Sequence, residues 1–317
     1  MTPAPAPVPI GVAFAVLAYG TFATVDALIK HIGGAVSVFE IGFFTMAFAA
    51  LPAIFTKPPA ERWRDTFRLA HPRLVHISAF SRTMSAILVT YAFVTIPLAE
   101  VYAIVFLVPV VVVLLSVLLL KETVNLQRWV LVLISFAGVM VVVRPGFRDF
   151  ELGHLTALCC AFFSAIATTT LRMVSADERR TSLMAMQIVY ALVFNAVLML
   201  PSFVMPDPVE MALLGLAGIL IGFGHLLLIT ATRTAPASQV APMQYSQMVW
   251  GLVFGAAFFG EFPDWISLVG IAIVVAAGLA NVFADGARAR IAGRFSRYRA
   301  RRDPTNGDGT KLQGPLP

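Results

Sequence analysis

The most direct signal in the chain is a series of long apolar runs separated by short polar breaks. The runs are continuous, without the apolar/polar alternation of a membrane-spanning strand, so they predict helices and argue against a β-barrel. At about 20 residues per crossing, ten spans fit. The first five run Ile10–Ile29, Ala35–Phe55, Arg73–Val94, Pro97–Leu120 and Leu126–Val143. After a polar connection the second five run Gly153–Leu171, Ser182–Met205, Val209–Thr230, Ala237–Phe259 and Trp265–Ala284. The expected fold class is an all-α membrane protein.

The polar breaks orient the spans. With the N-terminus inside, the inner loops receive Lys57, Arg62, Arg64, Arg68, Arg73, Lys121, Arg128, Arg172, Arg179, Arg180 and Arg233. The outer side receives only Lys30, Arg144 and Arg148. This asymmetry follows the rule that Lys and Arg stay cytoplasmic. It predicts a multi-pass protein of a bacterial inner membrane with both termini in the cytoplasm.

The two sets of five also look alike. A shift of 139 positions superposes Pro97 on Pro236, Val101 on Val240, Glu122 on Glu261, Val130 on Val269, Ile134 on Ile273 and Ala137 on Ala276. Five is odd, so tandem copies must cross in opposite directions. That predicts an inverted repeat, with a solute site near midplane between the halves. The expected organisation is a Pro/Ala leader (1–9), a first repeat (10–144), a connection (145–152), a second repeat (153–284) and an Arg-rich tail (285–317), expected to be disordered. The leader has no Lys or Arg and so lacks the basic region of a signal peptide.

Composition narrows the function. The 317 residues are 59% hydrophobic and 13% charged, with a mean hydropathy of +0.84, which excludes a water-soluble enzyme. The net charge of +6 is concentrated at the end: seven arginines fall between Arg288 and Arg302. Beside a membrane domain such a tail meets anionic lipid, and no nucleic-acid partner is expected. Cys159 and Cys160 are adjacent on a helix and point about 100° apart, so neither a disulfide nor a metal pair is expected. The chain contains no phosphate-binding loop, zinc-binding His pair or nucleophile elbow. No catalytic set, metal or cofactor is therefore expected, and a small-molecule solute is the expected partner. Gly218-x-x-x-Gly222 and Gly251-x-x-x-Gly255 read as intramolecular packing and leave a homodimer open.

Ionisable groups inside spans are costly unless paired or hydrated, so they mark candidate sites. Arg82 lies deepest, roughly 13 Å along the third span at 1.5 Å per residue, and needs an anion, carbonyls or water. Asp26 and Glu40 are its candidate partners. His225 in the eighth span is a candidate proton carrier. The ninth span groups Gln239, Gln244, Tyr245, Gln247 and Trp250, and the fourth adds Glu100 and Tyr102. Amides with aromatic faces suit a planar polar heterocycle, and Gln244 and Tyr245 are the foremost candidates for touching it. Lys30 and Arg172 end the first helix of each half and read as side chains reaching toward headgroups. Glu122 and Glu261 close equivalent helices and are assigned to helix ends or a conformational lock.

Several segments resemble the drug/metabolite transporter superfamily, in particular its ten-helix members with two EamA repeats. They are Val25-Asp26-Ala27-Leu28-Ile29-Lys30, Phe39-Glu40-Ile41-Gly42-Phe43-Phe44, Ser81-Arg82-Thr83, Leu120-Lys121-Glu122, Gln127-Arg128-Trp129, Arg144-Pro145, Ala241-Pro242-Met243-Gln244-Tyr245 and Gly260-Glu261-Phe262-Pro263-Asp264. Where many relatives carry an arginine near the centre of the second span, this chain has Thr45 or Met46. The resemblance implies a secondary carrier working by alternating access. Within the superfamily the chain is most similar to the uptake branch of RibN-type riboflavin transporters and S-adenosylmethionine transporters. Riboflavin uptake is the leading expectation, with S-adenosylmethionine uptake and amino-acid or metabolite export as alternatives.

Overall fold

The computed structural model describes residues 8–55, 66–120, 126–144, 151–174, 177–235 and 237–280. Glu122, most of the leader, most of the 145–152 connection and the Arg-rich tail lie outside the described residues.

Among the described residues the chain is all-helical, and its helices make up ten spans. Spans one to three are Val8–Ile32, Val38–Phe55 and Pro72–Thr95. The fourth comprises Leu98–Val105 and Val108–Leu120, and the fifth is Leu126–Val143. In the second half, Leu152–Val174, Arg180–Met199 and Pro208–Thr234 form spans six to eight. The ninth runs Ala237–Phe259 in three pieces, and the tenth is Trp265–Ala280.

Local chemistry sets the helix ends. Ser37 and Glu40 form a reciprocal cap: the Ser37 N–H donates to Glu40 Oε2 at 2.9 Å, and the Glu40 N–H donates to Ser37 Oγ at 3.3 Å. Asp207 and Glu210 repeat the device at the start of the eighth span. Each cap satisfies N–H groups that a helix start leaves orphaned. Pro201 ends the seventh helix short of the expected Met205, passing into one turn of 3-10 helix. Gly260 closes the ninth span at φ +66°, the left-handed conformation that a helix C-terminus commonly requires.

The packing is related by exchange of the halves. The first span packs on the eighth, and the third packs on the sixth. These are one contact under the exchange of span n with span n+5. The second and eighth correspond in the same way to the seventh and third, and the fourth and sixth to the ninth and first. The second meets the seventh, and the fourth meets the ninth, as self-paired contacts. Glycine positions repeat the relation: a methyl on Gly11 would overlap Ala235, and one on Gly153 would overlap Thr95. With an odd number of spans per half, this symmetry requires a twofold axis in the membrane plane. The inverted repeat expected from the sequence is therefore seen in the packing.

One expectation needs correcting. The fourth and ninth spans are not continuous helices. The fourth breaks at Phe106–Leu107, just ahead of Pro109, and the ninth passes through 3-10 helix at Ala241–Tyr245, which contains Pro242. Proline removes an N–H and crowds the preceding turn, which kinks the helix. The two breaks are symmetry-related, because Phe106 and Tyr245 are 139 positions apart. Their rings meet with centroids 5.0 Å apart. The interrupted helices thus cross at the axis through paired aromatic side chains.

Gly218, Gly251 and Gly255 are packed by the chain's own Phe48, Tyr102 and Glu261. The Tyr245 hydroxyl sits in the space that any side chain at Gly278 would need. Gly278→Val is therefore expected to destabilise the protein by about 1–3 kcal/mol, the usual cost of overpacking. Thermal unfolding in detergent measures this, and Tyr245→Phe in the Gly278→Val background should recover part of the loss by removing the overlapped oxygen.

Candidate functional site

The junction of the halves collects the polar side chains. Asp26 lies on the first span, half-buried. Its Oδ2 accepts a hydrogen bond from the Tyr102 hydroxyl at 2.6 Å and another from Gln247 Nε2 at 3.0 Å. One carboxylate thus links the first, fourth and ninth spans, drawing on both halves. Both donors are neutral, and no cation pairs with Asp26 among the described residues. The Tyr102 ring reaches this position by lying against Gly251, where a side chain would overlap it, and it packs edge-on to Phe93 at 5.6 Å.

Arg82 lies deeper. It shares a stripe of the third span with Val75, Ala86 and Phe93; Val75 and Phe93 are buried, whereas Arg82 and Ala86 are exposed. Its charge is close enough to act on Cys160 of the sixth span and His225 of the eighth, which places the guanidinium on the side of the third span that faces these two. Among the described residues no hydrogen bond or ion pair holds it. An arginine stays charged, so this exposed position is hydrated or meets a solute anion. Counted from the linked level of Lys30 and Ile96, Asp26 is four residues inward and Arg82 fourteen. At 1.5 Å per residue their backbones are separated by roughly 15 Å along the bundle.

His225 is exposed beside this space. Its Nδ1–H donates to the Ile221 carbonyl at 2.8 Å, which leaves Nε2 as an acceptor. The ring packs edge-on to Phe22 of the first span at 5.1 Å.

Two expected contacts find other roles. Glu40 is buried with both oxygens engaged, Oε2 by Ser37 and Oε1 by the Val204 N–H at 2.7 Å. It caps the second span and ties the connection between the seventh and eighth, and it does not reach Arg82. The Ser-x-x-Glu spacing at positions 37–40 was the sequence signal for this. Tyr245 is buried between Phe106 and Gly278, so its ring does not face open space. Gln244 is half-buried, and its amide has no hydrogen-bond partner among the described residues.

At the end of the bundle nearest Asp26, Lys30 joins the halves. Its Nζ donates to Glu261 Oε1 at 2.7 Å and to the Ile96 carbonyl at 2.7 Å, with the Phe259 ring 5.5 Å away. Glu261 Oε2 accepts the Leu98 N–H at 3.1 Å, one of the orphan donors at the start of the fourth span. The two side chains are 10% and 19% exposed, so water screens the pair little. Beside it lies a pocket of about 130 Å³ lined by Ala99, Glu100, Gly251, Gly255 and Ser267. The sequence reading of Lys30 as a headgroup-seeking side chain missed this pair, because nothing in a linear chain brings residue 30 to residue 261.

The same end carries two further pairs. Buried His154 Nε2 lies 3.0 Å from Glu100 Oε2, joining the sixth span to the fourth. Arg144 binds Asp264 and also donates to Ser267 Oγ at 3.0 Å. Together with the Ser267 N–H, the guanidinium holds the Asp264 carboxyl well below the usual carboxylate range.

A polytopic bundle of two inverted halves, with interrupted helices at the axis and polar groups gathered between the halves, is the architecture of a secondary transporter. The chain belongs to the EamA-like transporter family, which matches residues 9–144 and again 151–283, within the drug/metabolite transporter superfamily. It is 24% identical to an S-adenosylmethionine uptake transporter of Rickettsia bellii, over 87% of this chain and 94% of the relative. It is 27% identical to a pseudopaline exporter of Pseudomonas aeruginosa, over 85% and 95% respectively. It is 30% identical to a riboflavin transporter of Vibrio cholerae over 50% of this chain and 54% of that protein.

Asp264 makes stability depend on pH. Its folded pKa lies below the unfolded value of about 3.9, so the Arg144 pair contributes fully above that value and is lost as pH falls through the folded one. Acidification from pH 6 toward 3 is expected to lower the melting temperature of the wild type more than that of Asp264→Asn, which starts lower at pH 6. Melting curves across this range measure the difference.

Proposed function

We propose that this chain is a secondary carrier of a bacterial inner membrane that imports a metabolite bearing a cationic centre and a carboxylate, of the S-adenosylmethionine type, by alternating access. The observation that carries this reading is Asp26: a carboxylate at the junction of the halves, held among the described residues by the neutral Tyr102 and Gln247 alone. Such a group keeps its charge available for a cation arriving in the cavity. Arg82, exposed and without a hydrogen-bond or ion-pair partner among the described residues, supplies the complementary contact for a carboxylate.

The end bearing Lys30, Glu261 and Arg144 faces the periplasm, in agreement with the excess of Lys and Arg at the other end. On this reading the Lys30–Glu261 pair, with the His154–Glu100 and Arg144–Asp264 pairs beside it, closes that side. The relatives of this type match most of the chain, which supports the same reading. Riboflavin uptake is the second reading, favoured by the half-length match to the Vibrio cholerae protein. The aromatic platform it calls on is limited by the burial of Tyr245.

The test is uptake of radiolabelled S-adenosylmethionine, and in parallel riboflavin, by a bacterium lacking its own route for either and expressing this chain. Saturable S-adenosylmethionine uptake is expected, falling at least about tenfold in Asp26→Asn and in Arg82→Ala at equal membrane levels. This corresponds to losing one charge-assisted contact of about 1.5–3 kcal/mol. Riboflavin uptake alone would establish the second reading. Uptake of neither solute by correctly inserted protein would overturn import, and solute counterflow in liposomes would then test export.

A further inference from the structure

Lys30 and Asp26 occupy positions i+4 and i of the same helix. Side chains at that spacing have Cβ atoms about 5–6 Å apart, and an acid N-terminal to a lysine is the favourable order. Yet the two are not paired. Lys30 reaches across the junction to Glu261 and the Ile96 carbonyl, while Asp26 is satisfied by Tyr102 and Gln247. A flexible lysine therefore has two carboxylates within reach, one on its own helix and one on the other half. With the second, Lys30 joins the halves at this end, beside the His154–Glu100 and Arg144–Asp264 pairs.

We propose that Lys30 is a positioning residue that exchanges between Glu261 and Asp26, so that a cationic cargo on Asp26 keeps the Lys30–Glu261 closure in place and an empty Asp26 draws the lysine away and releases it. The inference rests on the proposed import function for the identity of the cargo, though not for the exchange itself. A cation bound at Asp26 neutralises the carboxylate, and Lys30 then gains nothing by leaving Glu261. An empty Asp26 carboxylate competes for Lys30 through their one-turn spacing, and the Ile96 carbonyl and Glu261 Oε1 are freed when the lysine goes. Because Glu261 Oε2 also holds the start of the fourth span through Leu98, releasing the lysine frees the first span from the joined ends of the fourth and ninth. These are the spans that Tyr102 and Gln247 tie to Asp26. Cargo occupancy and closure are thereby read by one side chain, as alternating access requires of a carrier.

The test is the accessibility of a cysteine behind the closure. Ala99 is 4% exposed and lines the pocket beside Glu261. Ala99→Cys is introduced into the full chain with Cys159 and Cys160 replaced by serine, and labelled in intact cells by a membrane-impermeant maleimide. Glu261→Gln is expected to speed labelling at least about tenfold, and Lys30→Met to do the same, with Lys30→Arg restoring the slow rate. Asp26→Asn is expected to slow labelling below that of the parent, because the lysine then has no second acid. A merely structural Lys30–Glu261 pair would reproduce the first two effects without the last.

Equal labelling of the parent and Asp26→Asn, or faster labelling of Asp26→Asn, overturns the exchange whatever the solute. Added S-adenosylmethionine is expected to slow labelling of the parent and to leave Asp26→Asn unchanged. If it fails to slow labelling of the parent while the Asp26→Asn effect stands, the proposed cargo is overturned and the exchange is not.

Discussion

A charge carried into a bilayer has to be paired by the protein or hydrated by a space that the protein lines, and the arrangement of this bundle follows from how each charge meets that demand. Lys30 meets it with a carboxylate and an aromatic face from the end of the ninth span and a carbonyl from the end of the third. Glu40 meets it by capping its own helix and a neighbouring connection. Glu100 and His154 meet it by pairing with each other across two spans. Asp26 and Arg82 are the exceptions, one held by neutral donors and the other by no protein group among those described. Groups left in that condition are tolerated only where water or a solute reaches them. In the proposed mechanism these two groups, which have no ionic partner among the described residues, mark the transport path, and the paired ones mark the frame around it.

In the proposed alternating access the frame rearranges through contacts that come in matched pairs. Exchanging the halves turns the first-on-eighth packing into sixth-on-third and returns the fourth-on-ninth contact to itself. Whatever closes one end of such a bundle has a related counterpart at the other end, so tilting one half against the other opens one end as it closes the opposite one. Phe106 and Tyr245 touch where this exchange leaves positions unmoved. The two helices are also broken there, and a rocking motion needs a compliant crossing. An aromatic contact suits a pivot, because it has no directional hydrogen bond to break as the rings tilt.

Much of the architecture was legible in the sequence, because span length and the placement of lysine and arginine are one-dimensional properties. The ten crossings, the repeat offset of 139 and the polarity of the ninth span all come from reading along the chain. The site was legible in part. Asp26, Arg82, Tyr102 and Gln247 stood out as costly or polar groups in apolar runs. Their grouping did not, because Asp26 and Gln247 are 221 residues apart in sequence. Tyr245 was misread for a related reason. Its ring looks like a binding surface until the position of Gly278 is known, and only the fold brings that gap to the hydroxyl. The helix breaks were signalled by Pro109 and Pro242, but proline is common in membrane helices and marks a break only where the structure shows one. Glu40 could have been assigned from Ser37 alone, since the spacing of a helix cap is local.

The glycines and the polar network turn out to be one device. The Asp26 carboxylate is held in place by a tyrosine hydroxyl, and a tyrosine is long. For Tyr102 to reach Asp26 at 2.6 Å, its ring has to lie across the ninth span, and only a residue without a side chain at position 251 leaves room. The next glycine along that face, Gly255, leaves space for Glu261 in the same way, with the Glu261 carboxylate 3.2 Å from where a Cβ would stand. One glycine face of the ninth span therefore admits both the tyrosine that orients the inner carboxylate and the glutamate that holds the lysine. The small residues that let membrane helices approach closely here set the positions of the two acids between which Lys30 lies. A bulkier ninth span would not simply pack worse; it would move the carboxylate network and the closure together, because both are seated on the same stripe of absent side chains.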